Sequence, residues 1–248
     1  MVNLKTKEEL RVMRKAGLIT AKALQAAGAA IKPGITTDEL NNIIHEVIVS
    51  NGAYPSFLGY GGFPASACIS INEEVIHGIP GKRKLKNGDI VSVDVGAKIE
   101  GFHGDSAMTY ACGDITSEAR ALMDITRLAL KNAIEVALPG NRIGDISAAV
   151  QSTVESHGFS VVRDFVGHGV GRELHEAPEV PNFGKAGYGP RLMPGMVIAI
   201  EPMINAGGYG VRVLDDDWTV VTNDGSLSAH FEHTVAITQS GAILLTEL

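Results

Sequence analysis

The sequence has few cysteines, no long apolar run and no excess of basic residues. Its 248 residues include two cysteines, Cys68 and Cys112, which are too few for a disulfide framework and lack zinc-finger spacing. No stretch approaches the roughly 18 consecutive apolar residues that span a bilayer, and the charged N-terminal segment does not resemble a signal peptide. A formal net charge of −7 without a Lys/Arg stripe argues against specific nucleic-acid binding. We therefore expect a cytoplasmic protein without membrane or nucleic-acid partners.

The order of predicted elements indicates a chain that repeats its own layout. Hydrophobic residues make up 45% of the sequence, which is enough for a sizeable core. Apolar residues at helical spacing predict helices over 7–30 and 117–137. Each helix is followed by a Pro-Gly turn, at 33–34 and at 139–140, and then by a second helix with recognisable end signals.

The repeat predicts an α+β fold in which helices cover one face of a curved, mainly antiparallel sheet. We interpret residues 1–248 as one catalytic domain with pseudo-two-fold repeats over about 7–112 and 117–245. Alignment of the two halves places Asp94 on Glu201, so each half contributes a carboxylate from a buried strand. A site that both halves supply would lie in the middle of the sheet.

Five polar residues lie in apolar or glycine-rich surroundings where an unpaired charge is costly to bury. Each of them alone is equally compatible with a buried ion pair or a turn, but few basic residues are available nearby to pair with the carboxylates. Hard oxygen donors with one imidazole suit two divalent ions such as Mn²⁺, Fe²⁺ or Co²⁺. The predicted ligand set is Asp94, Asp105, His168, Glu201 and Glu232.

Two further histidines and two glycine-rich runs have less specific signals. His77 and His175 each precede a proline-containing turn, and a lone histidine is more often packed or at the surface than catalytic. The runs "GYGGF" and "GHGVG" lack the Walker and Rossmann patterns, which argues against nucleotide binding. We expect their glycines to let backbone and substrate approach the ions closely.

Four motifs together resemble the type I methionine aminopeptidases over essentially the whole chain. They are "SVDVG…FHGDSA", "GHGVGRELHEAP", "IEPM" and "FEHT", in the order and at the spacings of that family. The resemblance implies the family's pita-bread fold and its internal pseudo-symmetry. The short separation of Glu201 and Glu232 leaves no room for the insertion of type II enzymes, and the chain lacks the Cys/His-rich extension of eukaryotic type I members, so it looks bacterial.

The resemblance also implies roles for individual residues. The five predicted ligands match the family's dinuclear metal ligands, and His77 and His175 match its two substrate-contacting histidines. The methionine pocket carries over onto Tyr60, Phe63, Cys68 and Trp218. Two positions depart from the family pattern, since Leu174 replaces an aromatic residue and Gly61 stands where some members carry histidine. On the residues alone, Cys68 and the aromatics are equally compatible with an ordinary core.

The implied activity is removal of the N-terminal methionine from nascent polypeptides when the second residue is small. We expect Glu201 to act as general base, with His175 stabilising the oxyanion and His77 helping the amine to leave, although these two roles are open to exchange. The ion held by Asp94 and Asp105 would also receive the substrate amine. We expect a monomer, with the ribosome as a candidate partner.

Two other functions remain open at this point. A proline-specific aminopeptidase or prolidase shares the fold and the ligands, but usually carries an additional N-terminal domain. A non-catalytic binding protein on the same fold is disfavoured because such relatives have lost ligands and all five are present here.

Overall fold

The structure of the protein, a computed structural model, describes residues 2–248. Its helices are arranged in two pairs. The described residues form four α-helices and one short 3₁₀ turn at Tyr60–Gly62. Thr6 and Thr36 begin the first two helices with capping boxes, in which the hydroxyl and a glutamate three residues later satisfy free backbone N–H groups. The helices are α1 (Lys7–Ala30), α2 (Thr37–Ser50), α3 (Ser117–Glu135) and α4 (Ile143–Glu155). The helices predicted over 7–30 and 117–137 are confirmed, the second ending at Glu135.

All paired strands run antiparallel, as predicted, but they form four hydrogen-bonded sheets rather than one. The largest, in the order β15-β14-β9-β7-β8, belongs to the second half, and β1, β2, β4 and β5 form the sheet of the first half. The strands are β1 (Tyr54–Pro55), β2 (Ala67–Ile71), β3 (Glu74–Ile76), β4 (Ile90–Ile99), β5 (Phe102–Ala111), β6 (Ser160–Val161), β7 (Gly167–Gly169), β8 (Glu176–Val180), β9 (Val197–Ile200), β10 (Met203–Asn205), β11 (Val211–Val213), β12 (Val220–Thr222), β13 (Ser228–His230), β14 (His233–Thr238) and β15 (Gly241–Leu244).

Each half of the chain builds most of one hydrophobic core, and smaller clusters combine side chains of both halves. Helices α1 and α2 cover β2 and β4, and on α2 the buried residues Leu40, Ile44 and Ile48 recur every four positions, on one helical face. Helices α3 and α4 pack on the strands of the second half, with Ile146 and Val150 in that core. Burial of each such Leu or Ile side chain contributes on the order of 1.5–3 kcal/mol. The division into pseudo-repeats over 7–112 and 117–245 stays a prediction.

Side chains from both halves join the two sheets along β5. The Thr234 hydroxyl accepts from the Asp105 N–H at 3.0 Å and donates to the Asp105 carbonyl at 2.7 Å. The Ser106 hydroxyl donates to the Glu232 carbonyl at 2.6 Å, and the Glu232 N–H donates to the Ala107 carbonyl at 2.8 Å. These bonds fix the backbone of two predicted metal ligands at the seam between the halves.

Helix α1 lies unusually close to β5 at Gly104. A Cβ atom at Gly104 would lie 2.6 Å from the backbone nitrogen of Gly17, closer than real Cβ contacts. Glycine is therefore required at Gly104, next to Asp105 in the sequence, for the helix to pack against the strand. Among residues 2–248, no helix has both the length and the apolar character that crossing a membrane requires.

Candidate metal centre

A single cavity brings together every residue that the sequence predicted for the site. Its lining includes the predicted metal ligands, the two histidines and the predicted methionine pocket, together with residues that were not predicted. The predicted residues are Asp94, Asp105, His168, Glu201, Glu232, His77, His175, Tyr60, Phe63, Cys68 and Trp218; Phe57, Ile76, Phe165, Val166 and Leu174 complete the lining. The structure places these side chains together, and their individual roles stay predictions.

The carboxylate floor of the cavity consists of Asp94, Asp105, His168, Glu201 and Glu232. Asp94 pairs with Ala107 and Asp105 pairs with Gly96 in the β4–β5 hairpin, so the two carboxylates are diagonal neighbours on one face. Glu201 follows β9, and Glu232 lies between β13 and β14. The first pair is therefore set by one hairpin and the second by strands far apart in the chain.

His168 is held in the tautomer that a metal ligand needs. Its Nδ1 lies 2.9 Å from the Gly169 carbonyl oxygen, which can only accept, so Nδ1 carries the proton and Nε2 presents a lone pair. That Nε2 lies 3.7 Å from Asp105 Oδ2 and 3.5 Å from Glu201 Oε1. A lone pair facing two carboxylates is repulsive unless a cation or a proton lies between them.

The electrostatics of the floor also favour a bound cation. No Lys or Arg among residues 2–248 forms an ion pair with these carboxylates. Asp94 Oδ1, Asp105 Oδ1 and Glu232 Oε1 are buried without a hydrogen-bond partner. Burial raises the pKa of Asp105 to about 7 and raises the pKa of Asp94, Glu201 and Glu232 well above their usual range, with the neighbouring carboxylates adding to the shift.

The donor atoms fit a divalent metal. Asp105, His168 and Glu232 each offer one ligand atom, and these atoms lie within 4.8 Å of one another. Asp94 adjoins this group through the hairpin register, and Glu201 adjoins it through His168. Oxygen donors with one imidazole suit divalent first-row ions.

The aromatic wall faces the floor and consists of Tyr60, Phe63, His77, Phe165, His175 and Trp218. The Tyr60 hydroxyl lies 2.7 Å from His175 Nδ1, and the His175 ring is 4.2 Å from that of His168. His77 lies 5.9 Å from Phe165 and 6.4 Å from Trp218, measured between ring centroids. Its backbone φ of 59° is unusual for a residue with a side chain, so the fold holds His77 in a strained conformation.

Burial keeps the wall histidines neutral and the thiol protonated. It lowers the pKa of His77 to about 4 and lowers the pKa of His175. The buried, free Cys68 lies opposite Asp94 in the β2–β4 register, and burial raises the pKa of its thiol well above the usual range. Leu174 packs with Phe63 and Cys68, so it fills part of the wall that the family pattern assigns to an aromatic ring.

The glycines of the two runs have different surroundings. A Cβ at Gly167 or Gly169 would overlap the carbonyl oxygens of Ala199 or Ala177, so these glycines let β7 pack between its neighbouring strands. In "GYGGF", Gly61 has φ 57° and a Cβ there would contact Trp218 at 3.4 Å. The expectation that these glycines let backbone and substrate approach the ions closely stays a prediction; in "GHGVG" the close approach is of backbone to backbone.

Sequence reasoning missed two buried residues behind the floor. Asn182 donates from Nδ2 to the Glu201 carbonyl at 2.9 Å, and His230 Nε2 lies 3.6 Å from Glu201 Oε2. The spacing of His230, two positions before Glu232, is a signal that could have found it, since alternate strand residues share a face. Nothing in the sequence around Asn182 or Phe165 indicates their positions.

Comparison with known proteins agrees with this geometry. Residues 11–239 match the model of Metallopeptidase family M24. The chain is 56% identical to a methionine aminopeptidase of Clostridium perfringens, over 99% of both chains. The crystal structure of a methionine aminopeptidase from Thermotoga maritima is 48% identical and superposes with a TM-score of 0.99 over 100% of both chains.

A prolidase from Pyrococcus furiosus is more distant. It is 27% identical with a TM-score of 0.80, and the match covers 99% of this chain and 65% of that one. These similarities confirm the predicted α+β pita-bread fold class, and a metallopeptidase family implies divalent metal cofactors. The family match over residues 11–239 and the full-length similarity to methionine aminopeptidases show that the chain belongs to metallopeptidase family M24.

Proposed function

We propose that this protein is a methionine aminopeptidase that removes N-terminal methionine from peptides and nascent proteins when the second residue is small. The observation that carries the proposal is the cavity itself, in which unpaired buried carboxylates face an aromatic wall. The floor suits a metal-assisted hydrolysis, and the wall suits a long, flexible thioether, which favours aromatic contacts. The similarity to methionine aminopeptidases at 56% and 48% identity supports the same substrate.

The carboxylate floor would hold two divalent ions, with Co, Mn or Fe as candidates. Four carboxylates balance the charge of two such ions, and His168 presents the lone pair of its Nε2 to the same space. When bound, the ions lower the pKa of a water and polarise the scissile carbonyl.

The protein's own groups perform the remaining steps. Glu201 lies on the floor beside His168 and takes the proton of the attacking water at a carboxylate oxygen, then delivers it to the leaving amine. With the Tyr60 hydroxyl donating to His175 Nδ1, the proton of neutral His175 is on Nε2, where it can donate to the oxyanion. His77 contacts the scissile amide nitrogen. The two histidines have different neighbours in the wall, since His77 packs against aromatic rings and His175 contacts the Tyr60 hydroxyl.

The wall also determines which methionines are removed. Phe63 and Trp218 meet edge to face at 5.1 Å and, with Cys68 and Leu174, form an apolar pocket for the methionine side chain. The strained His77 between Phe165 and Trp218 narrows the space beside the scissile bond. A bulky second residue would clash there and lose the geometry needed for attack.

The proposed substrate also indicates the cellular location of the reaction and the partners of the protein. Nascent polypeptides begin with methionine where they are made, so we place the activity in the cytoplasm, with the protein acting as a monomer and the ribosome as a candidate partner. No nucleic-acid or membrane partner is part of the proposal.

Hydrolysis of three short peptides by metal-reconstituted protein tests the function. We expect release of methionine from Met-Ala-Ser, little reaction with Ala-Ala-Ser and little with an Xaa-Pro peptide that lacks methionine. Preference for the Xaa-Pro peptide would instead identify a proline-specific peptidase, the activity named for the more distant prolidase. Absence of hydrolysis with full metal content would support a non-catalytic binding protein.

A further inference from the structure

His230 is a buried imidazole that the proposed reaction does not use. It ends β13, is 1% exposed and does not line the cavity. Both of its ring nitrogens lack a hydrogen-bond partner, which is costly for buried polar atoms. The Thr109 hydroxyl bonds to both backbone groups of His230, at 2.9 and 2.8 Å, so the backbone of this histidine is firmly placed.

The His230 ring lies beside the carboxylate of Glu201. His230 Nε2 lies 3.6 Å from Glu201 Oε2, while His168 Nε2 lies 3.5 Å from Glu201 Oε1. The two oxygens of one carboxylate therefore each face an imidazole. A hydrogen bond needs a heavy-atom separation of about 2.7–3.2 Å, so a movement of roughly 0.5 Å would close the contact with His230.

The two imidazoles differ in the proton they can offer. Because the Gly169 carbonyl holds the proton of His168 on Nδ1, His168 can only present a lone pair to Glu201. Neither ring nitrogen of His230 has another partner, so its tautomer is free to respond to its neighbour. A carboxylate attracts an N–H group and repels a lone pair, which selects the tautomer of His230 with the proton on Nε2.

We propose that His230 is a positioning residue that donates from Nε2 to Glu201 Oε2 and so leaves Oε1 to face the metal. This inference rests on the proposed function, in which Glu201 is both a metal ligand and the proton carrier. Partners behind a ligating carboxylate fix its orientation, and their loss typically costs 10–100-fold in metal affinity or activity.

Two variants distinguish loss of the hydrogen-bond donor at position 230 from loss of side-chain packing. His230→Leu removes the donor and keeps an apolar side chain of similar bulk, whereas His230→Gln keeps an N–H donor at the same distance from Cα. His45→Leu is the matched control, because His45 is a partly buried histidine on α2 outside the cavity. We expect the dissociation constant for Mn²⁺, measured by calorimetry, to rise roughly 10–100-fold in His230→Leu and to stay within about threefold in His230→Gln and the control.

Nitrogen-15 NMR of the histidine rings provides a readout that does not depend on activity. The signals of His230 are assigned by their loss in His230→Gln, which also covers the case in which His230→Leu fails to fold. We expect the neutral tautomer protonated on Nε2.

Three outcomes would overturn the proposal: a proton on Nδ1 of His230, wild-type Mn²⁺ affinity in His230→Leu, or equal impairment of the Leu and Gln variants. Failure of the wild-type protein to hydrolyse Met-Ala-Ser would overturn the proposed function instead, while the tautomer and the affinities would still decide the role of His230.

Discussion

The carboxylate floor and the aromatic wall line one cavity but differ in whether their buried polar atoms have hydrogen-bond partners. On the floor, Asp94, Asp105 and Glu232 each bury an oxygen without a partner. On the wall, Tyr60 and His175 pair with each other at 2.7 Å, and the remaining rings pack against one another. The floor therefore has buried oxygens that a cation would satisfy, whereas no side-chain atom of the wall is among the buried atoms of residues 2–248 that lack a partner. Changes to the floor should alter metal binding, and changes to the wall should alter turnover or selectivity alone.

The largest effect is expected from a floor ligand. Asp105→Asn removes one negative charge, and His168→Ala removes the lone pair that Gly169 orients. Metal assistance contributes several kcal/mol, so each variant should lose at least roughly 10³-fold in kcat/KM together with metal content. Elemental analysis beside a Met-Ala-Ser assay measures both, with Asp124→Asn, exposed on α3, as the control. Substantial activity at full metal content would remove that residue from the floor.

A wall histidine should behave differently. His175→Ala removes the donor to the oxyanion, so kcat should fall roughly 10²-fold while bound metal stays at the wild-type level. Stopped assays at saturating Met-Ala-Ser give kcat, and dialysis followed by elemental analysis gives the metal content. If metal were lost as well, His175 would belong to the floor and the distinction between the two surfaces would fail at that residue.

Selectivity for the second residue should depend on the wall alone. At fixed metal content, Met-Lys-Ser and Met-Phe-Ser should show kcat/KM values at least roughly tenfold below that of Met-Ala-Ser, because a large side chain prevents the geometry of attack. Competition assays on peptide mixtures measure the ratios directly. Values within about threefold of each other, less than roughly 1 kcal/mol, would show that His77 and its aromatic neighbours form no steric filter.

A smaller effect is expected from the partner of His175. Tyr60→Phe keeps the ring but removes the hydroxyl beside His175 Nδ1, so the imidazole loses the contact that selects its tautomer. We expect kcat to fall by about tenfold with metal affinity unchanged. Tyr54→Phe, exposed and outside the cavity, is the matched control. A change in Mn²⁺ affinity would contradict the independence of wall and floor.

The smallest effect is the pH dependence of stability in the metal-free protein. Raised carboxyl pKa values, about 7 for Asp105, mean that the folded state holds protons that the unfolded chain has released, so this contribution to stability is lost as pH rises from the ordinary carboxyl pKa of about 4 through about 7. Lowered histidine pKa values, about 3 for His168 and His230, act in the opposite direction, because unfolded imidazoles take up protons below about pH 6.5. The two effects oppose each other below about pH 6.5, and above it the carboxyl effect is unopposed, so stability should fall between pH 6.5 and 8.

Thermal denaturation from pH 5 to 8 measures this balance. A difference of one bound proton between the folded and unfolded states changes the free energy of unfolding by about 1.4 kcal/mol per pH unit, which shifts the melting temperature of a chain of this size by roughly 3–6 °C. Added Mn²⁺ should raise the melting temperature most at pH 8, where the carboxylates are already ionised. A melting temperature of the metal-free protein that rises steadily from pH 6.5 to 8 would contradict the raised carboxyl pKa values.

Patterns within short segments of the sequence were sufficient to predict the helices and to place Asp94 and Asp105 on one face. The capping boxes at Thr6 and Thr36 mark helix starts because the hydroxyl, the glutamate and the N–H groups they satisfy lie within four residues. Asp94 and Asp105 share a face because a short hairpin and the period of two in a strand leave little freedom. The four separate sheets were not predicted, since strand pairing between distant segments has no local signal.

The sequence by itself determined which side chains are candidates for the site, since carboxylates and histidines stood in apolar segments without basic partners and matched a known motif order. Only the tertiary structure decided how they meet. The backbone of Glu232 is fixed by Ser106 and Ala107, and that of Glu201 by Asn182, through contacts between residues far apart in the chain. The position of His230 behind Glu201 likewise depends on the seam along β5. The contacts of Glu232 and the backbone contacts of His230 form only when the two halves pack together, and the contact of Asn182 forms only when the second half folds. No periodicity within either half specifies them.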